Sequence, residues 1–192
     1  MLPRGEQVAL LGTVNRLLSD SPVDASCGEK IELVACVACR LVFCGAEPLR
    51  VAEYLVEISS GWGEVGWPWF YLVEAAFEVE AWGVVVASAS RLPSQYFVDR
   101  DQRWRQARID ELVAAALVRS GRWGEAEVGV DRLAAAFAAF GESDDFAPPG
   151  ILVRALVDSH PQGHACLSTL ARSLDLESWL DQDLRDRVRS LV

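Results

Sequence analysis

The sequence predicts an all-α fold of stacked antiparallel helix hairpins, about 8–9 helices in all, and three observations carry that prediction. Apolar residues recur at spacings of three and four along the chain, β-branched runs are short, and no hairpin signal of the Asn-Gly type occurs. Gly45, Gly83 and Gly121 stand 38 residues apart. Four residues before each glycine are Leu41, Val79 and Leu117; seven before, Ala38, Ala76 and Ala114; eight before, Val37, Ala75 and Val113. These offsets share one helix face, and a fixed period of this length marks helical units that bury their apolar sides against their neighbours.

The breaks define the elements. A first helix, about Gly5 to Leu18, stops at Ser19-Asp20-Ser21-Pro22, because proline cannot continue it, and residues 19–28 form a polar linker. Glu29 to Cys44 closes at Gly45, and Pro48, tolerated in a first turn, opens a third helix to about Ile58. Ser59 to Gly63 is a loop, and Pro68 starts the apolar helix Trp69 to Trp82. Gly83 is then either a turn or a position inside one longer helix continued by Val84, Val85 and Val86. After a break at Pro93, the amphipathic helix Asp99 to Ser120 ends at Gly121, and the Ala-rich helix Gly124 to Phe140 ends in an acidic, proline-containing stretch at 142–150. Ile151 to Val157 follows, with Ser159, another 38 residues on, at a turn without its glycine. The helices Ala165 to Leu174 and Ser178 to Val192 would close the open end of the stack. The whole chain, 1–192, is expected to form one domain.

Gly121, Trp123, Glu125 and Ala126, within Leu112 to Phe137, make this segment resemble the tetratricopeptide repeat. That family turns its helix pair at a glycine followed by an aromatic, an acid and an alanine. Glycine relieves strain where a helix ends, and Ala126 and Ala114 are small enough for two helices to cross closely. The resemblance implies a short α-solenoid whose first helices line a concave surface. Residues expected on that surface include Ala35, Cys39 and Val42; Phe70, Val73 and Phe77; and Arg108, Ala115, Val118 and Arg119. A mainly apolar wall with an arginine rim suits an amphipathic helix laid in by its hydrophobic face. Small acidic proteins with such grooves look like the chaperones of bacterial secretion systems.

Composition narrows the partner. With 18 basic against 28 acidic residues the chain carries −10, which repels phosphate and disfavours nucleic acid or an anionic membrane. The most apolar stretch, Trp67 to Ala89, contains Glu74, Glu78 and Glu80, too many carboxylates for an ordinary membrane span. The start has no long apolar leader, and five cysteines, an odd number, favour free thiols in a reducing compartment, so a cytoplasmic location is expected.

Trp62, Trp67, Trp69, Phe70 and Tyr71 crowd together, and such aromatics serve either as interface anchors or as core; Trp62, in a glycine-flanked loop, is the expected exposed one. Cys36 and Cys39 form a CxxC, flanked by Cys27 and Cys44, but they share their segment with Val34, Val37 and Leu41 and are expected in the core. His160, His164 and Cys166 are interrupted by Pro161 and Gly163, so no metal is expected there. No phosphate-cradling glycine loop occurs. The sequence therefore predicts a non-catalytic interaction module, chaperone or adaptor scaffold without cofactor or metal. It would bind a protein partner, an amphipathic helix or its own copy as a homodimer, through Trp62, Trp69, Phe70, Val73, Phe77, Arg108, Val118 and Arg119. Two other readings stand beside it. One is a helical enzyme or metal-binding protein using Cys36 and Cys39 or His160 and His164. The other is a helical-bundle groove protein, since Leu41 to Glu47, Trp123-Gly124 and Trp179-Leu180 are similar, in order, to the short motifs of apoptosis regulators.

Overall fold

The computed structural model of the chain describes residues 9, 13, 37–42, 45, 48, 50–51, 67–90, 103–140, 149–174 and 180–192. Among these every regular element is an α-helix, as the three-and-four spacing predicts. The helices followed from end to end are α1 (Trp67–Glu78), α2 (Trp82–Ala89), α3 (Arg103–Arg119), α4 (Trp123–Phe140), α5 (Gly150–Asp158), α6 (His164–Ser173) and α7 (Gln182–Leu191). Residues 37–42, 48 and 50–51 are also helical, where the second and third helices are expected. Most of the expected first helix, the linker 19–28 and the acidic stretch 142–148 lie outside the described residues. The chain divides into two compact units, Met1–Tyr96 and Phe97–Val192.

In the first unit α1 packs against α2. Helix α1 is apolar almost all round, and it buries Trp69, Phe70, Leu72, Val73, Ala75 and Ala76. It ends earlier than the expected Trp82. Glu80 takes the left-handed conformation, φ 59°; its N–H donates to the Phe77 carbonyl (3.0 Å) and the Ala81 N–H to the Ala76 carbonyl (2.9 Å). This bond pair is the Schellman closure of a helix end. The same pair recurs at Gly121, φ 71°, whose N–H donates to the Val118 carbonyl (3.0 Å) while Arg122 N–H donates to the Leu117 carbonyl (2.9 Å). Gly45, φ 88°, donates likewise to the Val42 carbonyl (2.9 Å).

The equivalent turn residues are therefore Gly45, Glu80 and Gly121, and Gly83 is the second residue of α2. It neither makes the turn nor lies within one long helix. The constant spacing fails at its middle member, and the burial pattern agrees: Val79, expected in the buried row, is 40% exposed. Val85, five residues after Glu80, is fully buried, as is Ala126, five after Gly121.

Two stability results follow. A left-handed L-residue costs about 1–2 kcal/mol, so Glu80→Gly should stabilise the fold by up to about 1 kcal/mol in urea unfolding, after the extra chain entropy of glycine is subtracted. A Cβ on Gly83 meets nothing within 4 Å among the described residues, so Gly83→Ala should also stabilise, by about 0.5–1 kcal/mol; destabilisation would return the turn to Gly83. A third concerns Ser88, whose hydroxyl is buried in α2 without a hydrogen-bond partner among the described residues, whereas Ser120 and Ser173 bond back to the Ala116 (2.8 Å) and Thr169 (2.9 Å) carbonyls. Ser88→Ala removes a desolvated polar atom and should raise the urea midpoint, by about 1 kcal/mol in stability.

In the second unit α3 packs against α4 and α5, α4 against α6, and α5 against α6 and α7. First helices α3, α5 and α7 thus follow one another in one row, with α4 and α6 in a second. Small residues set the closeness of the α3–α4 pair: Ala114 and Ala126 are fully buried, and a Cβ on Gly129 would stand 3.2 Å from the Ala114 Cβ. Flanked by α4 and α5, α3 buries every residue from Ala114 to Val118. Leu112, Leu133, Leu152, Leu156, Leu167 and Leu170 are each at most 1% exposed, and such side chains each contribute about 1.5–3 kcal/mol of burial free energy.

Candidate functional site

Helix packing decides where the expected binding residues lie. Trp69 (6% exposed), Phe70 (3%), Val73 (0%) and Val118 (2%) are interior side chains. Phe77 is half-buried with its ring edge-on to Trp82 at 5.1 Å, and Trp62 lies outside the described residues. Arg108 and Arg119, the expected rim, reach the surface. The apolar residues of the first helices are thus packed inside, and what the row α3, α5, α7 presents to solvent is chiefly charged.

Its centre is a carboxylate held between two guanidiniums. Asp158, the last residue of α5, accepts from Arg119 Nη2 on α3 (2.8 Å) through Oδ2 and from Arg187 Nη2 on α7 (2.8 Å) through Oδ1. Partial burial pushes its carboxyl up, but the hydrogen bonds from Arg187 and Arg119 and their charges outweigh this and hold it below the ordinary aspartate value. One turn earlier on α5, Arg154 pairs with Asp181 at 3.4 Å. Asp181 in turn caps α7 by accepting from the Leu184 N–H (2.9 Å).

Charge is segregated between the rows. Helices α3, α5 and α7 together carry eight arginines against five carboxylates, whereas α4 and α6 carry two against three. Counting Asp181 as well, the first row remains net positive in a chain of net charge −10. On the second row, Glu125, Glu127 and Asp131 are exposed around Val128, itself 58% exposed.

A second carboxylate holds the first row together from within. Glu111 of α3 is 5% exposed; its Oε1 accepts from the Ile151 N–H (2.8 Å) and the Leu152 N–H (3.3 Å), and its Oε2 pairs with Arg108 Nη1 (2.9 Å). It therefore caps the N-terminus of α5, whose own N-cap, Pro149, offers no side-chain bond. Burial pushes the Glu111 carboxyl above the ordinary value, the Arg108 charge and the three hydrogen bonds offsetting this only in part. Asp110 is raised too, by burial, against a hydrogen bond from Gln106 and the charge of Arg132. Glu111 escaped the sequence reading. The available signal was Pro148-Pro149-Gly150, a helix start with no local capping side chain, which must borrow an acceptor from elsewhere.

The remaining candidate groups are dispersed. Cys39 points its Sγ at the Tyr71 carbonyl of α1 (3.1 Å), and Cys36 lies outside the described residues. Cys166 is buried, and burial, with the charges of Glu127 and Asp131, pushes its thiol up. His160 and His164 are exposed at either end of the α5–α6 turn with ring centroids 6.0 Å apart. Among the described residues no three His, Cys, Asp or Glu side chains converge as metal ligands. No helix among them is long and apolar enough to cross a membrane. The helix opened by Trp123 exposes Glu125, Glu127, Val128, Asp131 and Arg132, so it is amphipathic rather than a wholly buried central helix.

No protein-family model matches the chain, and no curated protein and no solved structure is significantly similar to it.

Proposed function

We propose that this chain is a non-catalytic protein-interaction module, an adaptor or chaperone, that holds a helix of a partner protein across the row α3, α5, α7. The observation that supports the reading is the cross-bracing of that row. Glu111 ties α3 to α5, and Asp158 ties α5 to both α3 and α7, so three successive helices present their outward side chains from a fixed frame. The tetratricopeptide-like identity belongs to the same proposal, supported by the Gly121 turn and the close crossing at Ala114, Ala126 and Gly129. A cytoplasmic setting, with its thiols reduced, belongs to it as well.

Site-specific photo-crosslinking tests it. A photoreactive amino acid at position 154, on the first row, should trap a partner that then binds the purified chain directly and in simple stoichiometry. The same group at position 128, on the second row, should not trap it. A partner trapped at 128 alone, or none at either position, would contradict the reading.

A further inference from the structure

We infer that the Arg119–Asp158–Arg187 bridge, with Arg154 beside it, is a recognition point for an acidic helical segment of the partner. This rests on the interaction-module reading and specifies its partner chemistry.

The bulk charge of −10 points toward a basic partner, but the structure distributes that charge unevenly. The row α3, α5, α7 holds the arginine excess, so the rest of the chain is more acidic than the total suggests. At physiological salt the field of an exposed charge is screened within about 8 Å, so a segment lying on this row meets mainly the row's own charges, among which arginines outnumber carboxylates. Arg119 and Arg187 share a single carboxylate, which neutralises only one of their two charges. Each is partly exposed, with 37% and 43% of its side chain open to solvent, and the bond to Asp158 uses one of five guanidinium donors.

The shared carboxylate holds both arginines, one on each oxygen. This spares an incoming acid the entropy of ordering two long side chains, which otherwise cancels much of a surface ion pair. Guanidinium forks suit the planar carboxylates of glutamate and aspartate. The arginines come from α3, α5 and α7 in turn, so the acids they meet must be spread along an extended or helical segment rather than gathered on one small anion. Ala115, Ala155 and Val118 are buried and offer an incoming segment no apolar contact, so charge supplies most of the discrimination.

The experiment is fluorescence anisotropy on the full chain. Its probe is a labelled amphipathic peptide of about 18 residues, five helical turns, built from glutamate, leucine and alanine. Control peptides replace every glutamate by glutamine or by lysine. The acidic peptide should bind best, and its affinity should fall as salt is raised. The double variant Arg119→Ala/Arg187→Ala should weaken it about tenfold, and Arg119→Lys/Arg187→Lys should restore part of the loss. Circular dichroism and thermal melting confirm that each variant is folded.

Equal binding of the glutamine peptide would overturn the acidic preference while leaving the interaction module standing, which the crosslinking at position 154 decides separately. Loss of acidic-peptide binding on Arg132→Ala/Arg172→Ala instead would place the contact on the second row and overturn the assignment. Salt-sensitive self-association through the acidic face of α4, lost on Glu127→Arg, would make a second copy the occupant and overturn it too. So would tighter binding of a single-stranded oligonucleotide than of the acidic peptide.

Discussion

Replacing Gly163 by alanine should destabilise the second unit by about 3 kcal/mol, the largest effect expected of so small a change. Gly163 is buried immediately before α6, and a Cβ there would stand 2.6 Å from the Leu156 carbonyl oxygen and 3.2 Å from its carbonyl carbon and Cα. Those are backbone atoms of α5, so no rotamer change relieves the contact and the α5–α6 hairpin must open. Its φ of −76° is ordinary for any residue, which makes space the whole reason for glycine. Gly121 offers the contrast: a Cβ there meets nothing within 4 Å, but φ is +71°, so Gly121→Ala should cost only about 1 kcal/mol. Urea unfolding of both variants checks the order, and a milder effect at Gly163 than at Gly121 would contradict it.

Glu111→Ala should cost about 2–3 kcal/mol, because it leaves the Ile151 and Leu152 N–H groups without their acceptor and removes the Glu111–Arg108 ion pair. Glu111→Gln retains an oxygen for the two N–H groups and removes a charge that burial disfavours, so it should lie within about 1 kcal/mol of the parent chain. The same burial gives a pH dependence of definite sign. Glu111 and Asp110 hold their protons more tightly folded than unfolded, so the folded chain binds more protons above about pH 4. Their contribution to stability is therefore full at low pH and is lost as pH rises through the folded values. Asp158 acts in the opposite sense, since its carboxyl is lowered: its contribution is present above the ordinary aspartate value and is lost as pH falls below it. Urea titrations between pH 4 and 7 should show Glu111→Gln gaining relative to the parent chain as pH rises. A constant difference would contradict the burial account.

The helical class and most helix positions were legible because they depend on local periodicity and on proline and glycine breaks. Gly121, with Ala114 and Ala126 around it, reads correctly, since the turn and the close crossing each need a particular small residue. Gly83 misled because spacing alone cannot show which residue takes the left-handed conformation, and here a glutamate does. The buried cap at Glu111 joins positions 40 residues apart, and no sequence period links an acid on one helix to bare N–H groups on another. The exposure of the expected groove residues was half legible. Arg108 and Arg119 were expected at the surface and are found there, but the apolar character of Phe70, Val73 and Val118 fitted a groove wall and a core equally well. Packing between helices decides between those, and that is a tertiary fact.

If a partner segment lies on the row α3, α5, α7, as proposed, the arginine side-chain Nε–Hε resonances report on it most directly. On titration with the acidic helical peptide, the signals of Arg119, Arg154 and Arg187 should shift together and saturate at one equivalent, while those of Arg132 and Arg172 on the second row stay in place. Shifts confined to Arg132 and Arg172, or a saturated complex in which Arg119 and Arg187 do not move, would contradict it.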